Sequence, residues 1–219
     1  MTGVAILGST GSIGTTALRV LARHRDRFRV AALTAYGRKD QLAAQAAAFY
    51  PTFVSLVGGG HGRDDWADGA QSLIEAATRP DVDIVLNGIV GAAGLEATIA
   101  ALHAGKRVAL ANKESLVMAG ELVLRAAREG GGEIVPVDSE HSAVLQCLGG
   151  RPRADLHRLI LTASGGPFRH RARSRSCPPV LRQPAATPSG GRTRPASPRP
   201  LTSTAVPGPG VLAVSDAVT

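Results

Sequence analysis

Short β-branched or aliphatic runs alternate with Ala- and Leu-rich segments over residues 1–165. The runs predicted to form strands are Val4–Leu7, Phe28–Leu33, Phe53–Val57, Asp83–Leu86, Arg107–Leu110, Glu133–Val137 and Leu159–Leu161. The segments predicted to form helices are Ile13–Arg23, Gln41–Phe49, Trp66–Ala77, Leu95–His103, Leu116–Arg128 and Ser142–Leu148. Because apolar strands that alternate with helices form parallel sheets covered on both faces, the sequence predicts an α/β fold with a doubly wound parallel sheet.

This pattern ends after Phe168. Nine of the 14 prolines lie in residues 170–219, among Arg, Ser, Thr, Ala and Gly, and neither a helical nor a strand period continues there. One interpretation is a disordered, low-complexity C-terminal tail. The favoured hypothesis is that the coding sequence leaves its reading frame near Arg169.

The net charge of +8 is concentrated in the same tail. Seven of the 25 basic residues and one of the 17 acidic residues lie in residues 170–219, so the tail carries +6 and residues 1–169 carry only +2. A folded nucleic-acid-binding domain needs a clustered basic face, so we expect no nucleic-acid partner. Binding of an anionic polymer or surface through the Arg-rich tail is kept as an alternative.

The two cysteines, Cys147 and Cys177, have no zinc-binding or disulfide spacing, which fits a reducing compartment. The amino terminus has no basic segment ahead of its apolar residues. No apolar run approaches the roughly 20 residues that span a bilayer. We therefore expect a cytoplasmic protein without a membrane partner.

A glycine-rich turn follows the first predicted strand. Gly8, Gly11 and Gly14 have the spacing G-x-x-G-x-x-G and open the first predicted helix. Such glycines allow a tight turn, close approach of the backbone to a pyrophosphate and packing of the helix on the strand. The free N–H groups of the helix N-terminus attract phosphate. The turn predicts a Rossmann-like nucleotide site, and the alternative is a turn without a ligand.

Gly37, Arg38 and Lys39 follow the second predicted strand. An acidic residue here would bind the ribose hydroxyls of NAD, whereas an arginine meets the additional phosphate of NADP. The basic pair therefore favours NADP. A solvated basic turn is the alternative.

Asp138 and Glu140 follow the predicted strand Glu133–Val137 and lie one residue apart. Carboxylates at the carboxyl end of a strand are where open α/β sheets hold metals and substrates, so the pair predicts a metal-assisted enzyme site. The alternative is that Asp138 caps a helix and Glu140 is an ordinary first-turn carboxylate.

Another polar group follows the strand Arg107–Leu110. Lys113 could bind a phosphate or a carbonyl, and its neighbours Asn112 and Glu114 could hydrogen-bond a cofactor. Glu114 could equally be a first-turn carboxylate that offsets the helix dipole.

Five motifs occur in a fixed order: GSTGSIG at 8–14, VGAAGL at 90–95, ANKESLV at 111–117, PVDSEH at 136–141 and LTASGGPF at 161–168. With these motifs the chain resembles the 1-deoxy-D-xylulose 5-phosphate reductoisomerases over about residues 3–169. The resemblance implies conversion of that ketose phosphate to 2-C-methyl-D-erythritol 4-phosphate in non-mevalonate isoprenoid biosynthesis. It also implies NADPH, a divalent Mg or Mn ion and a homodimer in the intact family.

The resemblance implies a role for each matching residue. The residues that would bind NADPH are Thr10, Gly11, Ser12, Ile13, Gly37, Arg38, Lys39, Asn112 and Glu114. Those that would contact the sugar phosphate are Lys113, Ser139, Glu140 and Ser164. Asp138 and Glu140 would hold the metal, and with Lys113 they would form the catalytic group.

The same resemblance divides the chain into three parts. Residues 1–130 are expected to form an NADPH-binding domain, 131–169 the start of an α/β catalytic domain, and 170–219 the tail. The family continues with a mobile loop, a phosphate clamp and a third metal-binding Glu, none of which occurs in 170–219. We therefore expect this polypeptide to be inactive or nearly so, and a non-catalytic NADPH-binding remnant is the alternative function.

Overall fold

The computed structural model describes residues 1–59, 65–162 and 211–214. The chain divides into two compact units, Met1–Gly149 and Gly150–Thr219. The strands described in the first unit are β1 (Thr2–Leu7), β2 (Phe28–Ala35), β3 (Phe53–Leu56), β4 (Ala67–Asp68), β5 (Ile84–Asn87), β6 (Arg107–Leu110) and β7 (Glu133–Pro136). Its described helices are α1 (Ser12–Arg23), α2 (Lys39–Phe49), α3 (Gln71–Thr78), α4 (Leu95–His103), α5 (Lys113–Gly130) and α6 (Ser139–Leu148).

The strands form one sheet in the order β4-β3-β2-β1-β5-β6-β7, and every neighbouring pair is parallel. The chain first winds outward from β1 to β4, and it then returns to place β5 on the other side of β1. Leu7 at the end of β1 lies opposite Asn87 at the end of β5. The predicted doubly wound parallel sheet is confirmed, with its switch point between β1 and β5.

Alternate residues of the central strand β1 enter two different cores. Ala5 and Leu7 belong to the core on the face covered by α3, α4 and α5. Val4 and Ile6 belong to the core on the face covered by α1 and α2. Because both faces are covered, the strand is apolar along its whole length rather than at every second residue.

The predicted helix Trp66–Ala77 is wrong in its first part. Ala67–Asp68 instead forms β4, which pairs with the end of β3, and the helix begins only at Gln71. The interruption lies at Gly69, which has a φ of +71°. A left-handed residue ends the hydrogen-bond pattern of a right-handed helix, so the apolar helical pattern before Gly69 is overridden.

Three helices begin two or three residues earlier than their apolar patterns predict, namely α2 at Lys39, α5 at Lys113 and α6 at Ser139. At α5 and α6 the cause is a side-chain cap, because Asn112 accepts a hydrogen bond from Ser115 N and Asp138 accepts one from His141 N. The polar residues in the first turn of a helix do not follow the apolar periodicity, so a prediction from that periodicity begins the helix too late. Several candidate site residues therefore belong to helix N-termini rather than to loops.

An ionic cluster stabilises the end of the sheet at which the parallel strands begin. The carboxylate of Asp81 accepts hydrogen bonds from Thr52 Oγ1 at 2.6 Å and from Arg79 Nε at 3.0 Å. Burial alone would raise the pKa of Asp81, but these two hydrogen bonds and the Arg79 charge outweigh it and hold the pKa below its usual value of 3.8. The cluster ties the segment before β3 to the segment before β5.

The second unit contributes a strand pair to the described residues. Strand β8 (Leu159–Thr162) runs antiparallel to β9 (Val211–Val214). Regular structure at Val211–Val214 corrects the expectation that no strand follows Phe168, while the remainder of the predicted disordered tail lies outside the described residues. Within residues 1–59 and 65–162, no helix has the length and apolar character needed to cross a membrane.

Candidate cofactor and metal site

The segments that follow the strands meet at one edge of the sheet, because parallel strands end on the same side. After β1 comes the turn at residues 8–11, after β2 residues 36–38 and after β5 the loop at residues 88–94. Residues 111–112 follow β6 and residues 137–138 follow β7. Open α/β sheets bind ligands at this edge, next to the switch point, and nearly all the predicted site residues in the described part lie there.

The glycine turn has the backbone that a phosphate site needs. Gly8 has a φ of +82°, and the turn is tied to β2 because Gly8 N and Ser9 N both donate to Thr34 O, at 3.1 and 2.8 Å. A Cβ on Gly14 would lie 2.5 Å from Gly8 O, so only glycine lets α1 approach the turn this closely. Gly11 is the N-cap of α1 and provides no side-chain cap, which leaves the helix N-terminus open to an anion.

The predicted contact residues of the turn differ in exposure. Gly11, Ser12 and Ile13 are exposed, as a ligand contact requires, whereas Thr10 is buried and only 7% exposed. The Thr10 carbonyl accepts a hydrogen bond from Arg38 Nη1 at 3.0 Å, and the contact of Thr10 with NADPH stays a prediction.

The second basic segment lies beside the glycine turn. Gly37 is exposed, Arg38 is the N-cap of α2, and Lys39 begins that helix. The bond from Arg38 to Thr10 holds the guanidinium next to the glycine turn. The helix is also joined to the turn through Gln45: Ser9 Oγ donates to Gln45 Oε1 at 2.7 Å, and Gln45 Nε2 donates to Ser9 O at 3.0 Å.

Two buried asparagines hold the loop at residues 88–94 against the sheet. Asn87 Nδ2 donates to Gly94 O at 2.9 Å, and its Oδ1 accepts from Ile89 N at 3.1 Å. Asn112 Nδ2 donates to Gly91 O at 2.8 Å. Since Asn112 also caps α5, its side-chain amide has both a donor and an acceptor role within the protein, and its contact with NADPH stays a prediction.

Lys113 and Glu114 occupy the first turn of α5, directly after the Asn112 cap. Lys113 is exposed, and its charge helps to lower the pKa of both Asp138 and Glu140. The structure therefore brings the ANKES and DSEH motifs together from neighbouring strands. A first-turn Glu114 also offsets the positive end of the helix dipole, as the alternative interpretation expects.

Asp138 caps α6 and is held there by His141. Its Oδ1 accepts a hydrogen bond from His141 N at 3.0 Å, and His141 Nδ1 lies 2.8 Å from Oδ1 and 2.9 Å from Oδ2. Burial alone would raise the pKa of Asp138, but the bonds to His141 and the charges of His141 and Lys113 outweigh it and lower the pKa. The carboxylate is ionised at neutral pH, which a metal ligand requires.

Glu140 lies in the first turn of α6 and shares the field of Lys113. Hydrogen bonding from Ser139 Oγ, at 2.9 Å from Glu140 Oε2, is the largest influence that lowers its pKa, and the Lys113 charge adds to it. Among residues 1–59 and 65–162, no group of three or more His, Cys, Asp or Glu side chains could hold a metal ion. Two ionised carboxylates fit part of a magnesium site, since Mg²⁺ often takes one or two carboxylates and completes its shell with water and substrate oxygens. Ser164 lies outside the described residues, so its substrate contact stays a prediction.

The helical and strand periodicity of the sequence did not identify Gln45 and Asn87 as residues that hold the site in place. The signal for Gln45 is a polar side chain three residues after the buried Leu42 in an otherwise Ala-rich helix. The signal for Asn87 is a polar residue that ends the apolar run of β5 at the edge where ligands bind.

A separate cleft of about 580 Å³ opens at the other edge of the sheet, lined by the first residues of β1, β2, β5, β6 and β7. Its basic side chains are engaged in structural contacts. Lys106 Nζ donates to two backbone carbonyls, and Arg107 pairs with Glu133 at 2.6 Å. The cleft lies where the strands begin, whereas the predicted site residues follow the strand ends, so we assign it no part of the site.

The parallel sheet, its switch point and the open glycine turn are the features that define the class of α/β folds typical of dinucleotide-binding proteins. The family model described as 1-deoxy-D-xylulose 5-phosphate reductoisomerase matches residues 4–120, and the model of that enzyme's C-terminal domain matches residues 134–191. The chain belongs to the 1-deoxy-D-xylulose 5-phosphate reductoisomerase family. The second match extends past residue 169, where the recognisable motifs end.

Curated and solved relatives agree with this assignment. The reductoisomerase of Symbiobacterium thermophilum is 50% identical over an alignment of 183 residues that covers 77% of this chain and 47% of that protein. The Zymomonas mobilis enzyme, solved in complex with NADPH, is 42% identical with a TM-score of 0.70 over 78% of this chain and 48% of that one. A reductoisomerase solved with NADPH, fosmidomycin and magnesium is 44% identical with a TM-score of 0.64 over 70% of this chain and 40% of that one. The chain thus spans about half the length of the relatives it matches.

Proposed function

We propose that this chain binds NADPH and carries part of the metal and substrate site of a reductoisomerase that converts 1-deoxy-D-xylulose 5-phosphate to 2-C-methyl-D-erythritol 4-phosphate. The observation that carries the proposal is the open α1 N-terminus at the switch point, with the Arg38 guanidinium tied beside it. The helix N-terminus suits a diphosphate, and the arginine suits the additional phosphate that distinguishes NADPH from NADH. Relatives solved with NADPH support the same cofactor.

The residues after β6 and β7 support the second part of the proposal. Asp138 and Glu140 would hold the divalent ion, which supplies a Lewis acid that stabilises oxyanions on the ketone and its neighbouring hydroxyl. Lys113 adds a positive charge next to both carboxylates and would bind the sugar phosphate or its carbonyl. Ser139 holds the Glu140 carboxylate in place through its hydroxyl. We place the functional division at 1–130 for the cofactor and 131–169 for the metal and substrate motifs.

Cofactor titration tests the proposal directly. NADPH fluorescence is followed as the protein is added, for the full chain and for a chain shortened to residues 1–169. We expect saturable binding that survives the removal of residues 170–219, and Arg38→Met should weaken NADPH more than NADH. No saturable binding of NADPH by the full chain would refute the proposed function.

Two variants test the metal part without relying on turnover. Binding of Mn²⁺, followed by water proton relaxation, should weaken about tenfold or more in Glu140→Gln, because the variant removes a charged oxygen ligand. Glu121→Gln on the exposed side of α5 is the matched control, since it removes the same charge away from the site. Equal Mn²⁺ affinity in Glu140→Gln and the control would contradict the assignment.

A further inference from the structure

Helix α2 and its N-cap residue Arg38 are joined to the glycine turn by three hydrogen bonds. Two of them form a reciprocal pair between Ser9 and Gln45, in which the Ser9 hydroxyl donates to Gln45 Oε1 and Gln45 Nε2 donates to the Ser9 carbonyl. The third runs from Arg38 Nη1 to the carbonyl of Thr10. Two successive residues of the turn are therefore fastened to one helix at points seven residues apart.

The Ser9–Gln45 pair is placed where it is costly to break. Ser9 is 0% exposed, so water cannot replace the lost partner of its hydroxyl or its carbonyl without opening the turn. Gln45 is only half-buried and has helical residues on either side, so its own backbone is fixed by α2. A rigid helix then transmits the position of Ser9 to Arg38 at the N-terminus of α2.

We propose that Gln45 is a positioning residue that fixes the distance between the glycine turn and Arg38. By fixing this distance, Gln45 sets the preference for a dinucleotide that carries a ribose phosphate over one that lacks it. The inference rests on the proposed NADPH binding. A ligand with both a diphosphate and a ribose phosphate must match this separation, whereas a ligand with the diphosphate alone needs only the turn. Gln45 itself touches neither phosphate in this scheme.

Gln45→Met tests the inference, because methionine keeps the length and helix propensity of glutamine and removes both hydrogen bonds. The dissociation constants of NADPH and NADH are measured by fluorescence titration, with the thermal unfolding midpoint as a control for folding. Each lost hydrogen bond changes an equilibrium about fivefold and the two factors multiply, so we expect NADPH binding to weaken between about fivefold and about 25-fold, and NADH binding less than about threefold. Gln41→Met makes the same chemical change one turn earlier on α2, and it should leave the ratio of NADPH affinity to NADH affinity as in the parent.

A double variant separates positioning from general loosening. If Gln45 acts through Arg38, then adding Gln45→Met to Arg38→Met should not lower the ratio of NADPH affinity to NADH affinity any further. Ser9→Ala is a smaller change that removes one bond of the pair, and it should also lower the ratio of NADPH affinity to NADH affinity. It replaces Gln45→Met in the test if that variant fails to fold. If Gln45→Met leaves the affinity ratio unchanged, either because neither affinity changes or because both fall equally, the inference is overturned. A parent chain that binds neither nucleotide would instead refute the proposed function.

Discussion

Replacing Asn112 by alanine removes three hydrogen bonds that hold the site together. Asn112 Oδ1 accepts from Ser115 N at 3.0 Å and from Ser115 Oγ at 3.2 Å, and Asn112 Nδ2 donates to Gly91 O at 2.8 Å. The side chain is 2% exposed, so water does not share these contacts in the folded protein. One substitution therefore uncaps α5 and removes the contact to Gly91 in the loop at residues 88–94, while Asn87 still holds that loop through Gly94 and Ile89.

The expected loss follows from the two roles of this side chain. Loss of an N-cap costs about 1 kcal/mol, and loss of the bond to Gly91 costs about another 1 kcal/mol because that half-buried carbonyl can regain water. We therefore expect Asn112→Ala to lower the free energy of unfolding by about 2 kcal/mol. Asn112→Ser keeps the cap but cannot reach Gly91, so its loss should be about 1 kcal/mol.

Urea unfolding, followed by far-UV circular dichroism, measures both variants against the parent. The difference of about 1 kcal/mol between Asn112→Ala and Asn112→Ser isolates the cap, and the loss that remains in Asn112→Ser isolates the loop contact. The reasoning would be refuted if Asn112→Ala lay within about 0.5 kcal/mol of the parent, which is the range of ordinary surface substitutions. It would also be refuted if the serine and alanine variants had equal stability.

Other substitutions test different parts of the structure. Gly14→Ala places a Cβ 2.5 Å from Gly8 O, so we expect a loss of about 1–3 kcal/mol in urea unfolding together with weaker NADPH binding in titration. Asp138→Asn keeps the helix cap and removes the charge, so thermal unfolding should change little while Mn²⁺ relaxation titrations show about tenfold weaker binding. The lowered pKa of Asp81 means that its stabilising contribution is complete above its unfolded pKa and is lost as pH falls below about 3.8. Urea midpoints of the parent and Asp81→Asn should therefore differ at pH 7 and approach each other as the pH falls below 3.8 through the lowered pKa of Asp81, and a constant difference would contradict the assignment.

Periodicity predicted the layered fold because the strands are short, apolar and regularly spaced. Both faces of β1 are buried, so Val4–Leu7 is apolar without alternation and is recognisable as a central parallel strand. The failure at Trp66–Ala77 has a local cause, since the backbone of Gly69 interrupts a pattern that the side chains would otherwise continue. A single glycine in an apolar segment does not reveal its φ angle in the sequence.

The site could be predicted in part, because its residues follow strands that end at one edge. Lys113 and Asp138 follow two successive predicted strands, and the structure makes these strands neighbours and brings the two charges together. The hydrogen bonds of Asn112 and Gln45 could not be predicted, because they depend on which loop or helix packs against each side chain. Such contacts are non-local, so neither the period nor the spacing of the sequence contains them.

Both outer strands of the described sheet are poor templates for a further strand. β4 has only two residues and is followed by Gly69, while β7 ends at Pro136, which has no N–H group to donate. A second chain that approached either side would find few backbone groups in register. We therefore expect any self-association of this unit to proceed through its helical faces, with the seven-stranded sheet protected from growth into an open-ended assembly.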